Sequence, residues 1–340
     1  MMRWALAAMV ATFLGLAPGV RAAVPADAWA LYRQKFVTAE GRVVDDLNGG
    51  ISHSESQGYG LLLACLADDR GTFASIFAFT RTELLIRDDG LSAWRWDPKA
   101  SPHVTDINNA SDGDLLIADA LACAGTRWAM PAHSAAARQI ATSLAKVALR
   151  QHAGQSWLMP GAVGFSEKDR ADGPVINPSY WVFEAFPTLA KLTGDQRWMQ
   201  VQASGLKLLD DLAKRKMPAP EWLSIKAEPK PAEGFPAQFG YNAIRIPLYL
   251  LRAGLGDKAR LAPFRQAWAG GTAVVDVASG KPVEPLPDAG YRILSAAMAC
   301  ALDGAPIPAE LKAFQPTAYY PSTLHLLTLS MLGERYPQCM

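Results

Sequence analysis

Ser54-Glu55-Ser56-Gln57-Gly58-Tyr59-Gly60-Leu61-Leu62-Leu63-Ala64-Cys65-Leu66-Ala67-Asp68-Asp69-Arg70-Gly71 contains a helix start, an apolar run and a polar turn in succession. Ser54 and Gln57 have the S-x-x-Q spacing of a capping box, and Leu61 to Leu66 supplies the apolar body. Asp68 to Gly71 then breaks the run, and a second amphipathic run follows from Thr72 to Leu85. The theme recurs. Phe183 to Leu192 leads through Thr193-Gly194-Asp195-Gln196-Arg197 into Trp198 to Leu212, and Ile246 to Leu251 leads through Gly254-Leu255-Gly256-Asp257 into Lys258 to Trp268. The gaps are too uneven for a solenoid of fixed period, and the short turns predict antiparallel helix pairs.

Counting every periodic apolar segment predicts twelve helices, near 26–36, 55–67, 71–86, 112–128, 134–150, 179–192, 195–215, 241–254, 257–268, 291–302, 307–314 and 321–333. Six such hairpins can close into a ring with one helix of each pair inside. The fold class is then all-α, and residues 23–340 form a single domain. Gly58, Gly60, Gly125 and Gly254 fall on segments expected inside. Two short hairpins are expected in loops: Trp157 to Phe165 turning at Pro160-Gly161, and Ala273 to Val283 turning at Ser279-Gly280.

The 340 residues carry 33 Lys plus Arg against 32 Asp plus Glu, so no global charge favours a nucleic-acid partner. Half of the chain is apolar, with 10 Trp, 9 Tyr and 12 Phe, which is ample for a large core and excludes intrinsic disorder. Arg3, the apolar stretch Trp4 to Leu16, and Val20-Arg21-Ala22 read as an export leader cleaved after Ala22. Pro18 and Arg21 cut the run too short to stay as an anchor, so the expected location is periplasmic or secreted, with no membrane insertion. Cys65, Cys123, Cys300 and Cys339 lack metal-ligand spacing; they are read as disulfides of open pairing or as buried thiols. The histidines form no metal pattern, and the Asp45-Asp46-Asn48 turn lacks the D-x-D-x-D-G spacing of a calcium loop, so no metal is expected.

Two acidic residues stand out by position. Glu55 falls on the first turn after Ser54, and Asp112 opens a helix behind Ser111 as N-cap in Asn108-Asn109-Ala110-Ser111-Asp112-Gly113-Asp114. Both starts are rich in Ser, Asn and Gly, and both helices suit the ring interior, which would bring two carboxyls to one end of a central cavity. An anionic Asp112 and aromatic walls would hold Glu55 protonated, as a general acid requires. Tyr59, Trp94 and Trp96, then Tyr180 and Trp181, then Tyr241 flank these segments, and such rings are platforms for the apolar faces of sugars.

The segment from Ala110 through Asp112, Asp114 and Leu121 to Trp128 resembles the signature of glycoside hydrolase family 8. Ser54-Glu55 to Gly60, Gly41-Arg42-Val43-Val44-Asp45, Leu158 to Phe165, Asn177-Pro178-Ser179-Tyr180 and Tyr241-Asn242-Ala243-Ile244-Arg245 match in order. The chain is most similar to the family's endo-β-1,4-glucanases that accompany bacterial cellulose synthesis. The resemblance implies an (α/α)6 barrel, hydrolysis of a β-1,4-glucan chain with inversion, no cofactor, and the cellulose synthase or secretion machinery as a partner. It implies Glu55 as proton donor and Asp112 as the nucleophile-type carboxylate at the cleavage subsite. Tyr59, Trp94, Trp96, Asp114, Tyr180, Tyr241 and Arg245 are the expected sugar-binding residues.

Asn242 departs from the pattern of many members of that family, which carry an aspartate there as the base, while some branches use a base on a different loop; an amide cannot accept the proton. Asp106, Asp172 and Glu233 are alternative bases, or Asp112 activates water itself, or catalysis is weak. A chitosanase or xylanase of the same family, and a glucan-binding protein of little activity, are the competing readings.

Overall fold

The computed structural model describes residues 24–340, and the leader read at residues 1–22 lies outside them. Among the described residues twelve α-helices follow one another: α1 (Ala26–Phe36), α2 (Ser54–Leu66), α3 (Arg70–Phe79), α4 (Ser111–Arg127), α5 (Pro131–Ala148), α6 (Ala185–Thr193), α7 (Arg197–Lys214), α8 (Arg245–Arg252), α9 (Lys258–Ala267), α10 (Ala289–Asp303), α11 (Ala309–Lys312) and α12 (Tyr319–Arg335). The odd-numbered helices are one-sided. In α5 the buried residues are Ala137, Ile140, Ala141, Leu144, Ala145 and Ala148, the spacing of a single stripe, and the opposite face meets solvent. By contrast α2 buries every residue except Glu55, and α8 buries every residue, as helices enclosed by neighbours must.

Inner helices meet side by side: α2 on α4, α4 on α6, α8 on α10 and α12, and α10 on α12. The outer helices lie behind them, α3 against α2, α5 against α4, α7 against α6, and α1 against α12. The result is an (α/α)6 barrel, with one cluster of buried apolar side chains running from Val24 to Cys339.

Glycine sets the tightest contact. A Cβ on Gly113 would lie 2.0 Å from Ser54 Oγ and 2.8 Å from Glu55 N, and one on Gly58 would lie 2.5 Å from Leu116 Cβ. Only glycine lets the first turns of α2 and α4 touch. At their far ends Cys65 is bonded to Cys123, and a second disulfide joins Cys300 of α10 to Cys339. The first bridge spans 58 positions, for which loop-closure entropy gives about 4 kcal/mol. Replacing Cys65 and Cys123 together by Ala is therefore expected to lower the unfolding free energy by about 2–4 kcal/mol, read as a lower denaturant midpoint at unchanged slope.

Several local expectations are corrected. The hairpin expected over 157–165 lies earlier: Leu149–His152 pairs with Gln155–Leu158, and the turn is Ala153-Gly154, both at positive φ (49° and 73°), as a primed two-residue turn needs. Pro160-Gly161 instead folds over the start of α4, where the Pro160 carbonyl accepts from Ser111 N–H at 2.8 Å. The helix expected over 241–254 begins only at Arg245, because 241–244 form turns. Gly254 sits past the end of α8 at φ +71° and stops the helix rather than lining the ring. The hairpin expected over 273–283 is present as Ala273–Asp276 with Pro282–Pro285.

Candidate active site

The chain enters α2 through a two-residue strand, Ser52–His53, paired with Arg95–Trp96. His53 is the N-cap: its Nδ1 accepts from Ser56 N–H at 3.0 Å while Ser56 Oγ accepts from His53 N–H at 3.0 Å. The capping box expected at Ser54 and Gln57 is thus shifted by one residue, and Gln57 is buried instead. Its Oε1 accepts from Val43 N–H at 2.7 Å and its Nε2 donates to Thr80 Oγ1 at 3.0 Å. In α4 the N-cap is Ala110 rather than Ser111, and Asp112 sits in the first turn with Oδ1 accepting from Gly113 N–H at 2.9 Å.

These two starts, in contact through Gly113, bring Glu55 and Asp112 to one cavity of about 550 Å³, walled by Trp94, Tyr180, Tyr241 and Asn242. Between them lies Arg245, fully buried at the start of α8. It donates through Nη1 to Glu55 Oε2 and through Nη2 to Asp112 Oδ2 at 2.7 Å, with its guanidinium 5.5 Å from the centre of the Tyr180 ring. A buried cation shared by two carboxylates is a balanced arrangement; any one of the three alone there would carry a heavy desolvation cost. The Glu55 side chain remains 15% exposed against 2% for Asp112, so Glu55 is the carboxyl that reaches into the cavity.

Burial pushes the Asp112 carboxyl up to about 7, with the Glu55 charge adding to the rise and the Arg245 guanidinium opposing it. The sequence places the raised carboxyl at Glu55; the group that the structure buries is Asp112, because the α2–α4 contact seals it beneath the guanidinium. Burial, reinforced by the Asp112 charge, also holds the Tyr180 hydroxyl well above its ordinary value.

Of the sugar-binding residues expected from sequence, Trp94, Tyr180 and Tyr241 line the cavity. Tyr59 does not: it is fully buried, its hydroxyl bonded to that of Tyr249 behind Arg245. Trp96 packs between Phe79 and His103 and donates to Glu83 at 3.0 Å. Strand alternation would put Trp94 and Trp96 on one face, but the strand covers only Arg95–Trp96 and Trp94 lies before it, so the alternation does not extend to Trp94 and only that ring reaches the cavity. Asp114 is buried away from the cavity, accepting from Ser92 N–H at 2.9 Å and from Asn109 Nδ2 at 2.9 Å; burial raises it to about 6. Arg245 holds the two acids instead of facing sugar.

The alternative bases have other tasks. Asp106 accepts the Trp94 indole N–H at 2.8 Å and so fixes that ring. Asp172 is buried against Arg170 at 2.9 Å and accepts Glu233 N–H at 2.8 Å, which keep its carboxyl below the usual range despite burial. Glu233 is exposed beside Lys230. None of the three lines the cavity.

Sequence reasoning missed Asp45, His53, Tyr291, Tyr319 and Tyr320, which complete the wall. His53 Nε2 lies 3.3 Å from Asp45 Oδ2, and Tyr320 donates to the Tyr241 carbonyl at 2.7 Å. The Tyr319-Tyr320 pair was a legible signal, two aromatic residues directly before a periodic segment. Among the described residues no group of three or more His, Cys, Asp or Glu is placed to hold a metal ion.

The sequence pattern of the glycosyl hydrolases family 8 matches residues 2–334. The chain belongs to this family. A probable endoglucanase of Novacetimonas hansenii is 40% identical over 248 residues, covering 72% of this chain and 71% of that protein. An endoglucanase of Cellulomonas uda is 35% identical over 270 residues, covering 78% and 73%. The solved structure of an endo-β-1,4-glucanase from Acetobacter xylinum superposes with a TM-score of 0.81 at 35% identity, covering 91% of this chain and 98% of that one.

Family membership makes the chain a glycoside hydrolase, and it sharpens the question posed by Asn242. Asn242 lines the cavity at the position where the sequence reading looks for an aspartate base, and its backbone N–H donates to Glu221 Oε1 at 2.8 Å.

Proposed function

We propose that this chain is an exported endo-β-1,4-glucanase, a single catalytic domain over residues 23–340, that cleaves cellulose-like chains with inversion beside the bacterial cellulose synthesis and secretion machinery. The observation that carries the reading is the meeting of Glu55 and Asp112 on one buried guanidinium, at the floor of a cavity walled by Trp94, Tyr180 and Tyr241. Aromatic faces suit pyranose rings, and a carboxyl that reaches the cavity suits protonation of a glycosidic oxygen. Asp112, sealed beneath the sugar site, is suited to holding the distorted ring rather than to drawing a proton from water. The two disulfides fit an oxidising compartment and support export.

The test follows the first product released from cellopentaose by proton NMR, with rates on lichenan, xylan and chitosan beside it. The expected result is α-anomer first and the fastest turnover on the cellulosic substrates. A β-anomer first, or faster cleavage of xylan or chitosan, would overturn the assignment. Asn242 favours a glucan-holding protein without turnover, and binding of cellopentaose with no product would establish that reading instead.

A further inference from the structure

The helix that carries Glu55 starts from a cap that can titrate. Helix starts are commonly closed by Ser, Thr, Asp or Asn, whose side-chain oxygen accepts a hydrogen bond throughout the neutral pH range. In α2 the cap is the His53 ring, whose Nδ1 accepts from Ser56 N–H at 3.0 Å. A backbone N–H can only donate, so Nδ1 is bare, and the neutral ring carries its hydrogen on Nε2. Nε2 lies 3.3 Å from Asp45 Oδ2 and donates to it. One imidazole thus joins Asp45 to the third residue of α2, and Glu55 directly precedes that residue.

Both ends of this bridge are anchored. Asp45 N–H donates to the Ile51 carbonyl at 2.9 Å, closing the turn before the strand Ser52–His53. The His53 ring meets Tyr319 of α12 edge-on at 5.8 Å, and Asp45, His53 and Glu55 all line the cavity. Gly113 stops the first turn of α2 on the α4 side, and the His53 cap closes its open end. Burial pushes the imidazolium down, yet the Asp45 hydrogen bond and the charges of Glu55, Asp45 and Asp112 outweigh it and hold the ring above its ordinary value. The Ser56 cap works against that rise, because the bond exists only while the ring is neutral. Two cations stand near: Arg42, bound to Ser52 Oγ at 3.2 Å, and Arg95, the strand partner of His53, paired with Asp97 at 2.8 Å. Arg245 is occupied by Glu55 and Asp112, and Asp46 by the Tyr319 N–H at 2.9 Å.

We infer that His53 is the positioning residue of the general acid, a neutral imidazole that joins Asp45 to the first turn of α2 and whose protonation uncaps the helix bearing Glu55. The inference rests on the reading of Glu55 as proton donor. As pH falls, Nδ1 gains a hydrogen and turns a donor toward the Ser56 N–H, itself a donor. The cap is exchanged for a charge pair with Asp45, the first turn of α2 loosens, and Glu55 leaves its line to the glycosidic oxygen. Turnover therefore falls on the acidic side with the titration of a ring that never touches the sugar.

His53→Ala is expected to lower kcat on carboxymethyl cellulose about 10²-fold at pH 7 with little change in KM, the cost of a misplaced rather than a missing group. His53→Asn caps α2 at every pH, so it should recover about tenfold over His53→Ala and move the acidic limb of the kcat profile to lower pH by at least about one unit. Asp45→Asn removes a charge beside the ring but leaves an oxygen for Nε2–H, and its acidic limb should move the same way. In the parent, nitrogen NMR of labelled histidine should show Nδ1 bare and Nε2 protonated at pH 8, with a titration midpoint that matches the acidic limb. An Nδ1–H tautomer, or a His53→Asn profile identical to that of the parent, would overturn the inference while leaving the functional reading standing. Loss of turnover at every pH in Asp45→Asn would overturn it as well, by making Asp45 a carboxylate of the chemistry. A parent chain that releases no product from any glucan would instead remove the reading on which it rests.

Discussion

Glu55→Gln is expected to cut release of reducing ends from carboxymethyl cellulose by about 10²–10⁴-fold, the usual contribution of a positioned general acid. The amide has the same shape, and its oxygen can still accept from Arg245 Nη1, so the first turn of α2 stays in place. What disappears is the proton delivered to the leaving oxygen. A dinitrophenyl cellobioside leaves without such help, and on it the same variant should lose less than about 10-fold. Comparable losses on both substrates would mean that Glu55 acts by holding Arg245 and not as an acid; full activity on the polymer would remove it from the chemistry.

Arg245→Met is expected to cost both stability and turnover. The thioether fills much of the volume, but Glu55 and a nearly inaccessible Asp112 are left facing each other without their shared cation. Removing one partner from such a buried set costs about 3–5 kcal/mol. Misplacing two carboxyls by about 1 Å costs about 10²-fold in kcat/KM. Arg245→Lys should recover the charge and part of the stability, yet little activity, since an ammonium cannot present two parallel donors. The pH dependence supplies a second reading. Asp112 holds its proton to about 7 in the folded chain against 3.8 as the ordinary value, so between those limits the folded state binds more protons than the unfolded one. Its contribution therefore makes stability fall as pH rises through that window. Without Arg245 the carboxyl climbs further and the fall extends to more alkaline pH, measurable as a steeper decline of the denaturant midpoint between pH 6 and 9. Identical pH profiles for the variant and the parent would show that Arg245 and Asp112 are not coupled.

The helical ring was legible because every hairpin announces itself through a 3.6-residue apolar rhythm and a polar turn, as in Leu61 to Leu85. The two acids were legible for a related reason: a carboxyl at a Ser-, Asn- and Gly-rich helix start is a local pattern. Contacts made across the ring leave no such trace. Arg245 meets Glu55 from 190 positions away, and nothing around either residue in sequence says that one guanidinium serves two carboxyls. The contact of Glu221 with Asn242 left no trace on the same grounds, since it runs from a side chain to a backbone N–H of another loop. Tyr59 and Trp96 were misjudged because proximity along the chain says nothing about which face of an element meets the cavity. Tyr319 and Tyr320 were passed over because periodicity began α12 at residue 321, whereas the helix starts at Tyr319.

The contact at Gly113 has an evolutionary reach. Because Gly113 has no side chain where Ser54 and the Glu55 main-chain nitrogen crowd in, the spacing of the two helix starts is set by this close approach. Drift at the mouth of the cleft can alter which polymer is gripped while this hard stop preserves the spacing of the two helix starts. A lineage that changed the stop itself would have to rebuild both helix starts at once.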